Sequence, residues 1–250
     1  MSPDPLAPLM DLPGVAAAAD AARDALAAVH RHPVNLRGWM DSSVEASWRA
    51  AQSSAALDGA VVTARRDDDV ADPILAGALR VAMALTGESL DSLTAVWTRA
   101  PLQALARLHL LAAADVVDDS DHLGRPRVDA AVSQRLDLLA DLVTTGGTAV
   151  PAPVLTAVVH GELMAMAPFA TANGVVARAA ARLAGAASGL DPHGLGVPEV
   201  TWLGRADAYR AGVDGFASGT ADGLAAWLLL HMEALEKGAG EARSIAEARR

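Results

Sequence analysis

Between two alanine-rich segments of helical character, the chain reads Met166-Ala167-Pro168-Phe169-Ala170-Thr171-Ala172-Asn173-Gly174-Val175-Val176-Ala177-Arg178. Pro168 interrupts the helical pattern, and Asn173-Gly174 leads into a new helix. The first turn of a helix offers unpaired backbone N–H groups and the positive end of its dipole, so it attracts anions. Gly174 lets an anion approach the backbone, and Arg178 lies one turn further along. The stretch therefore predicts an anion site; the alternative is a helix cap followed by a surface arginine.

The same stretch resembles the signature of the Fic (Fido-fold) family, His-Pro-Phe-x-(Asp or Glu)-Gly-Asn-Gly-Arg-x-x-Arg. The residues that match this signature are Pro168, Phe169, Asn173, Gly174 and Arg178. The residues that depart from it are Ala167 in place of the histidine, Thr171 in place of the acid, Ala172 in place of the first glycine and Val175 in place of the first arginine. The resemblance implies a phosphate-binding part that is half retained and a reacting part that is absent.

Other segments extend the resemblance over about residues 43–187. Ser53-Ser54-Ala55-Ala56-Leu57-Asp58-Gly59 is similar to the family's inhibitory helix motif, with Asp58 in the position of its glutamate. Gly124-Arg125-Pro126-Arg127 stands where the family has its substrate-docking flap, here shortened. His160 lies seven residues before Ala167, where members of the family often have a histidine.

In the family, the histidine takes a proton from a target hydroxyl, which then attacks a nucleotide phosphate, while the acid binds Mg²⁺. Ala167 cannot accept a proton, and the neutral Thr171 is a poor anchor for a hard cation. Loss of a general base alone costs about 10²–10⁴-fold in rate. The resemblance therefore implies a degenerate site that does not perform standard AMPylation, with ATP or another nucleotide as the candidate ligand and no resident Mg²⁺ or other metal.

His160 and Asp58 each have two interpretations. Seven residues of helix span about 10.5 Å, so His160 is too far from Ala167 to replace the missing base, and we expect a core histidine that supports the site. The resemblance implies that Asp58 pairs with Arg178 and blocks productive ATP binding. The alternative is that Asp58-Gly59 only ends a helix.

The composition predicts an all-α fold, because alanine is abundant and aromatic residues make up only 3% of the chain. With the resemblance, this gives a Fic helical fold with a short β-hairpin-like flap and extra helices at both ends; only Val61–Thr63 and the connector near Arg125 could be extended. We predict an N-terminal extension over 1–42, a core over 43–187 with the inhibitory-like helix near 43–59, and a C-terminal extension over 188–250. The pattern predicts helices over 15–30, 43–57, 72–85, 89–98, 101–117, 128–143, 151–167, 174–187, 206–216, 221–237 and 241–250, with a loop over 189–204.

The net charge of the chain disfavours two classes of binding partner. A net charge of -10 disfavours binding to nucleic acid and to anionic membranes. The chain has no cysteine, no start typical of a signal peptide and no run of the roughly 20 apolar residues that a membrane span needs, so we expect a cytoplasmic protein. Lys237 is the only lysine, which is typical of a GC-rich bacterial genome.

Three functions fit these observations. The first is a degenerate Fic-type protein that binds a nucleotide or another anionic small molecule through Asn173, Gly174 and Arg178. The second is a Fic-type transferase of altered chemistry, which moves a nucleotidyl or other phosphate-linked group to a hydroxyl of a target protein. The third is a non-catalytic interaction module, as a homodimer or bound to an active homologue.

Overall fold

The structure is a computed structural model that describes residues 4–62, 70–146 and 150–249. Eleven α-helices and no β-strand form within these residues, so the predicted all-α fold is confirmed. The helices are α1 (Val15–His30), α2 (Asn35–Leu57), α3 (Pro73–Ala84), α4 (Gly87–Trp97), α5 (Pro101–Ala113), α6 (Ala130–Asp141), α7 (Ala152–Met166), α8 (Asn173–Ala187), α9 (Pro198–Gly204), α10 (Ala206–Ala217) and α11 (Ala221–Glu247).

The main core is built around α8, whose inner face consists largely of alanine and valine. Small side chains let neighbouring helices approach closely, and larger residues from α3 to α7 fill the remaining space. Trp97 of α4, Leu108 of α5 and Leu163 of α7 are all at most 1% exposed. This packing places the loop between α7 and α8, which links Met166 to Asn173, at one end of the core.

A second apolar cluster joins the two ends of the chain. Residues of α1 and α11 pack against each other and against one face of α7. The segments predicted as N- and C-terminal extensions therefore contact α7 directly. The predicted division at residues 42 and 187 stays a prediction. Within the described ranges, no helix combines the length and the apolar character that crossing a bilayer requires.

Two helix ends follow the expected chemistry of caps. Asp72 precedes α3, and its Oδ1 accepts hydrogen bonds from the backbone N–H groups of Ile74 and Leu75 at 2.9 and 3.0 Å. At the end of α2, Gly59 adopts a φ of 95°, and the N–H groups of Gly59 and Ala60 bond back to the carbonyls of Ala56 and Ala55. This is a Schellman motif, so Gly59 does end the helix.

Two predictions near the C-terminus are wrong. The predicted loop over 189–204 contains helix α9, and the two helices predicted at 221–237 and 241–250 are one continuous helix, α11. Gly238 does not interrupt α11, because its missing Cβ makes room for the start of α9: a Cβ there would lie 2.6 Å from the backbone nitrogen of Pro198. The carbonyl of Gly238 also accepts a hydrogen bond from the N–H of Val197. Gly238 therefore allows α11 to pack closely against the start of α9 and does not end α11.

The β-hairpin-like flap is not confirmed. In the described part of the chain, Gly124–Arg127 is an irregular connector that follows a short 3₁₀ turn, Ser120–His122. Val61 and Val62 are not in a strand either, and Thr63 lies outside the described residues. The connector nevertheless contacts the loop between α7 and α8, as described below.

Candidate functional site

The loop between α7 and α8 is bounded by two alanines in the left-handed backbone region. Ala167 has a φ of 43° and ends α7, and Ala172 has a φ of 54° and precedes α8. Asn173 holds the loop between them: its Oδ1 accepts the N–H of Phe169 at 2.9 Å, and its Nδ2 donates to the carbonyl of Phe169 at 2.8 Å. The structure therefore places Asn173 as a brace of the loop, with both polar atoms of its side chain bonded inside the protein.

The first turn of α8 receives a carboxylate from the protein itself. Asp58, just after α2, accepts the backbone N–H of Val175 on its Oδ2 at 3.0 Å. Its Oδ1 lies 2.7 Å from Nη2 of Arg178. Gly174 has no side chain, and its α-carbon lies beside this carboxylate. We call this arrangement of Asp58 with the Val175 N–H and the Arg178 guanidinium the Asp58 latch. In this arrangement the donors at the start of α8 are bonded to a carboxylate of the protein itself.

Arg178 is 1% exposed and is bonded at each of its guanidinium nitrogens. Nε donates to Oγ of Ser54 at 2.8 Å, Nη2 donates to the carbonyl of Ser54 at 2.9 Å as well as to Asp58, and Nη1 donates to the hydroxyl of Tyr209 at 3.3 Å. Burial disfavours the charge, but the Tyr209 hydroxyl and the Asp58 carboxylate outweigh this and raise the pKa of Arg178 above its usual value. The guanidinium is held charged and in one orientation.

The end of α2 orients the Asp58 carboxylate toward Arg178. Asp58 is the C-cap of α2, and the turn at Gly59 fixes its backbone directly after the last helical residue. Ser54 lies one turn earlier on the same face, so both residues reach Arg178. The Asp58 side chain stays 21% exposed, in contrast to Arg178. The latch therefore has a side that faces solvent.

The connector before α6 is attached to the loop through its backbone and one arginine. The N–H of Arg127 donates to the carbonyl of Pro168 at 2.8 Å, and its guanidinium donates to the carbonyls of Ala167 and Met166 at 3.0 and 3.1 Å. Arg127 thus satisfies carbonyls at the C-terminal end of α7. Arg125 is exposed, and its Nη2 lies 4.0 Å from Oδ1 of Asp121.

His109 joins the connector to the loop, and no sequence motif marks this residue. Its ring stacks on Phe169 with centroids 4.0 Å apart, and its Nδ1 accepts the N–H of Gly124 at 2.9 Å. Burial lowers the pKa of His109, and the Thr171 backbone opposes part of this effect. Because Nδ1 accepts the N–H of Gly124, it carries no proton, and the proton of the neutral ring is on Nε2.

Thr171 stands where the signature that this stretch resembles has an acid, and its hydroxyl lies inside the protein. Its Oγ1 is shielded from solvent and has no hydrogen-bond partner within the described ranges. A hydroxyl carries no charge to attract a hard cation. No group of three or more His, Asp or Glu side chains with metal-binding geometry occurs among the residues that the structure describes.

His160 lies behind the site, in the core. It is fully buried, and its Nε2 lies 2.8 Å from the hydroxyl of Tyr209, the same hydroxyl that Arg178 contacts. Its Nδ1 lies 3.3 Å from Nδ1 of His231. Burial, then the neighbouring His231 and Arg178, lowers the pKa of His160 well below its usual value. His160 therefore contacts Arg178 indirectly, through the hydroxyl of Tyr209.

The comparisons with known proteins identify the fold. Fic-1 from C. elegans matches this chain with a TM-score of 0.72 and 15% sequence identity, over 94% of this chain and 74% of that one. A Fic family protein from Desulfovibrio desulfuricans G20 matches with a TM-score of 0.67 and 19% identity, over 93% of this chain and 74% of that one. No protein-family model and no curated protein sequence matches the chain. The chain has the Fic fold, as the sequence motifs predicted.

Proposed function

We propose that this Fic-fold protein does not transfer AMP, and that its anion site receives the phosphate of a nucleotide only when the Asp58 carboxylate leaves it. The observation that carries this proposal is the Asp58 latch. A carboxylate and a phosphate oxygen are bound by the same donors, namely backbone N–H groups and a guanidinium. The pairing of Val175 N–H and Arg178 with Asp58 supports a site suited to anions.

The residues of the site are suited to binding a phosphate, but they lack the groups that AMP transfer requires. Gly174, the Val175 N–H and the Nη2 of Arg178 would hold a phosphate oxygen in place of the carboxylate. Ala167 offers only a methyl group where a proton acceptor is needed, and Thr171 offers no charge for Mg²⁺. A bound nucleotide would therefore find neither a base nor a metal anchor from these two residues.

Isothermal titration with ATP, ADP and AMP, with and without Mg²⁺, tests the proposal on wild type and on Asp58→Asn. The variant keeps an acceptor for the Val175 N–H and removes the competing charge. We expect it to bind ATP at least about tenfold more tightly than wild type, a difference of about 1.4 kcal/mol. Asp207→Asn, which removes an exposed carboxylate of α10, is the matched control and should bind as wild type does.

A second function, that of a non-catalytic interaction module, is favoured by the saturation of Arg178. A guanidinium that is 1% exposed and bonded to Ser54, Tyr209 and Asp58 also serves as a structural core group. Absence of binding by both wild type and Asp58→Asn at millimolar nucleotide would overturn the first proposal and support this one. Size-exclusion mass and pull-down would then address a homodimer or a partner protein.

A further inference from the structure

An unbroken row of hydrogen-bonded side chains runs inward from the Asp58 latch. Nη1 of Arg178 is 3.3 Å from the Tyr209 hydroxyl, which is 2.8 Å from Nε2 of His160. Nδ1 of His160 is 3.3 Å from Nδ1 of His231, and Nε2 of His231 is 3.3 Å from Oγ1 of Thr156. We call Tyr209, His160, His231 and Thr156 the buried relay.

The buried relay is closed off from solvent. Each of its four residues is at most 2% exposed. The ring centroids of Trp202 and Trp227 lie 4.7 and 5.0 Å from that of His160. A polar group buried without a partner costs about 1–3 kcal/mol, so every donor of the relay should find an acceptor within it.

The direction of the relay follows from its first member. A guanidinium can only donate, so Arg178 donates to the Tyr209 oxygen. The hydroxyl has one proton of its own, and among the residues that the structure describes its other partner is Nε2 of His160. If His160 also donated to this oxygen, the Tyr209 proton would be buried without an acceptor. Tyr209 therefore donates to His160, whose Nε2 carries no proton.

The remaining protons follow from this step. A neutral imidazole has one N–H, so His160 carries its proton on Nδ1 and donates to Nδ1 of His231. His231 must then carry its proton on Nε2 and donate to Oγ1 of Thr156. The Thr156 hydroxyl donates to the carbonyl of Pro153 at 2.9 Å, where the row ends. Every donor is used once, and every acceptor is matched.

We propose that Arg178 imposes one direction on the buried relay, and that the relay in return holds the Arg178 guanidinium in the orientation that binds Asp58. Tyr209 is then the positioning residue of the latch. Its hydroxyl accepts from Nη1 while its own proton is fixed by His160, so it cannot rotate away without breaking two hydrogen bonds. This inference rests on the Asp58 latch of the proposed function, but not on nucleotide binding.

The tautomers of the two histidines test the direction. We expect long-range ¹H–¹⁵N correlation spectra of the nucleotide-free wild type at neutral pH to show His160 protonated only on Nδ1 and His231 only on Nε2. The opposite tautomer at either ring, a mixture of both, or a doubly protonated ring would overturn the proposal. Because no nucleotide is present, this outcome is independent of whether the protein binds ATP.

A double-mutant cycle tests the positioning role. Tyr209→Phe and Asp58→Asn are combined, and the unfolding equilibrium constant is measured for each single variant and for the pair. We expect the effects to be non-additive by a factor of about five or more, since the two residues act through one guanidinium. Tyr209→Phe with Asp207→Asn is the control cycle and should be additive. Additive effects for the Asp58 pair would contradict positioning, and the tautomer measurement on wild type stands if a variant fails to fold.

Discussion

The carboxylate of Asp58 lies directly against the α-carbon of Gly174, so that a Cβ at position 174 would be 2.6 Å from Oδ2 and 2.8 Å from Cγ. The start of α8 thus leaves just enough space at Gly174 for the Asp58 carboxylate. A short carboxylate side chain bonded at both oxygens cannot yield this space without losing hydrogen bonds. The contact makes the glycine a sensitive probe of the latch.

We predict that Gly174→Ala lowers the free energy of unfolding by about 1–3 kcal/mol, because the new methyl group displaces the Asp58 carboxylate. Urea denaturation measures the change. Gly204→Ala is the matched control, because a Cβ at this helical glycine meets nothing within 4 Å and should leave the stability nearly unchanged. Equal stability of the two variants would contradict the contact.

Ala172 is in the left-handed region, which costs a non-glycine residue about 1–2 kcal/mol. We therefore predict that Ala172→Gly stabilises the protein by about 0.5–1 kcal/mol, after allowing for the greater entropy of glycine in the unfolded chain. Thermal and urea denaturation measure the change. The same substitution at the exposed helical Ala17 should destabilise by about 1 kcal/mol, and a loss of stability at both sites would refute the strain.

The buried histidines predict a dependence of stability on pH. Burial lowers the pKa of His231 to about 3, and lowers that of His160 well below 6.5. Below about pH 6.5 the unfolded state then binds more protons than the folded state. The free energy of unfolding is therefore highest above this pH, as far as these histidines determine it, and decreases as the pH falls. At about pH 5 His231 accounts for a loss of up to about 2 kcal/mol, and His160 adds a loss in the same direction. Burial also lowers the pKa values of His109 and His193, which adds to the loss in the same direction.

Urea unfolding at several pH values between about 7.5 and 5 checks this dependence. His231→Gln should reduce the slope by up to one proton, whereas His122→Asn, at an exposed position, should leave it unchanged. A stability that is flat over this range would be incompatible with two neutral buried imidazoles.

Restoring the histidine alone should not restore group transfer. Ala167→His supplies a candidate base, but position 171 remains a neutral threonine and position 175 remains a buried valine. We predict no incorporation of label from ATP into protein by wild type or by Ala167→His, measured with cell lysate and labelled ATP. Labelling by wild type that Arg178→Ala abolishes would instead identify a transferase of altered chemistry.

The sequence predicts much of the helical framework, because local signals determine it. Asp72-Pro73 marks the start of α3, Pro151 marks the start of α7, and Asn173-Gly174 marks the start of α8. The missed helix α9 has a local signal in Pro198-Glu199, which follows a glycine-rich stretch that suggested a loop. The break predicted in α11 fails because Gly238 is determined by its contact with Pro198, which is distant in sequence.

The site was predictable only where a motif gives it. Asp58 and Arg178 are 120 residues apart in the sequence. Their pairing could be predicted only from the resemblance of their two segments to motifs of one family. Tyr209 and His109 belong to no motif of this chain, and their contacts with Arg178 and Phe169 arise from helix packing. His231 lies on the apolar face of the C-terminal helix, where its period marks it as buried but does not identify its partner.

The bend between α7 and α8 is held by groups other than the side chains of Ala167 and Thr171, which stand where the resembling signature has its histidine and its acid. Asn173 ties it to Phe169, and Arg127 ties it to the carbonyls of Ala167 and Pro168. Side chains at 167 and 171 contribute none of these bonds. The loop is consequently a template for enzyme engineering, in which a base or a chosen set of ligands can be installed at these two places without rebuilding the main chain.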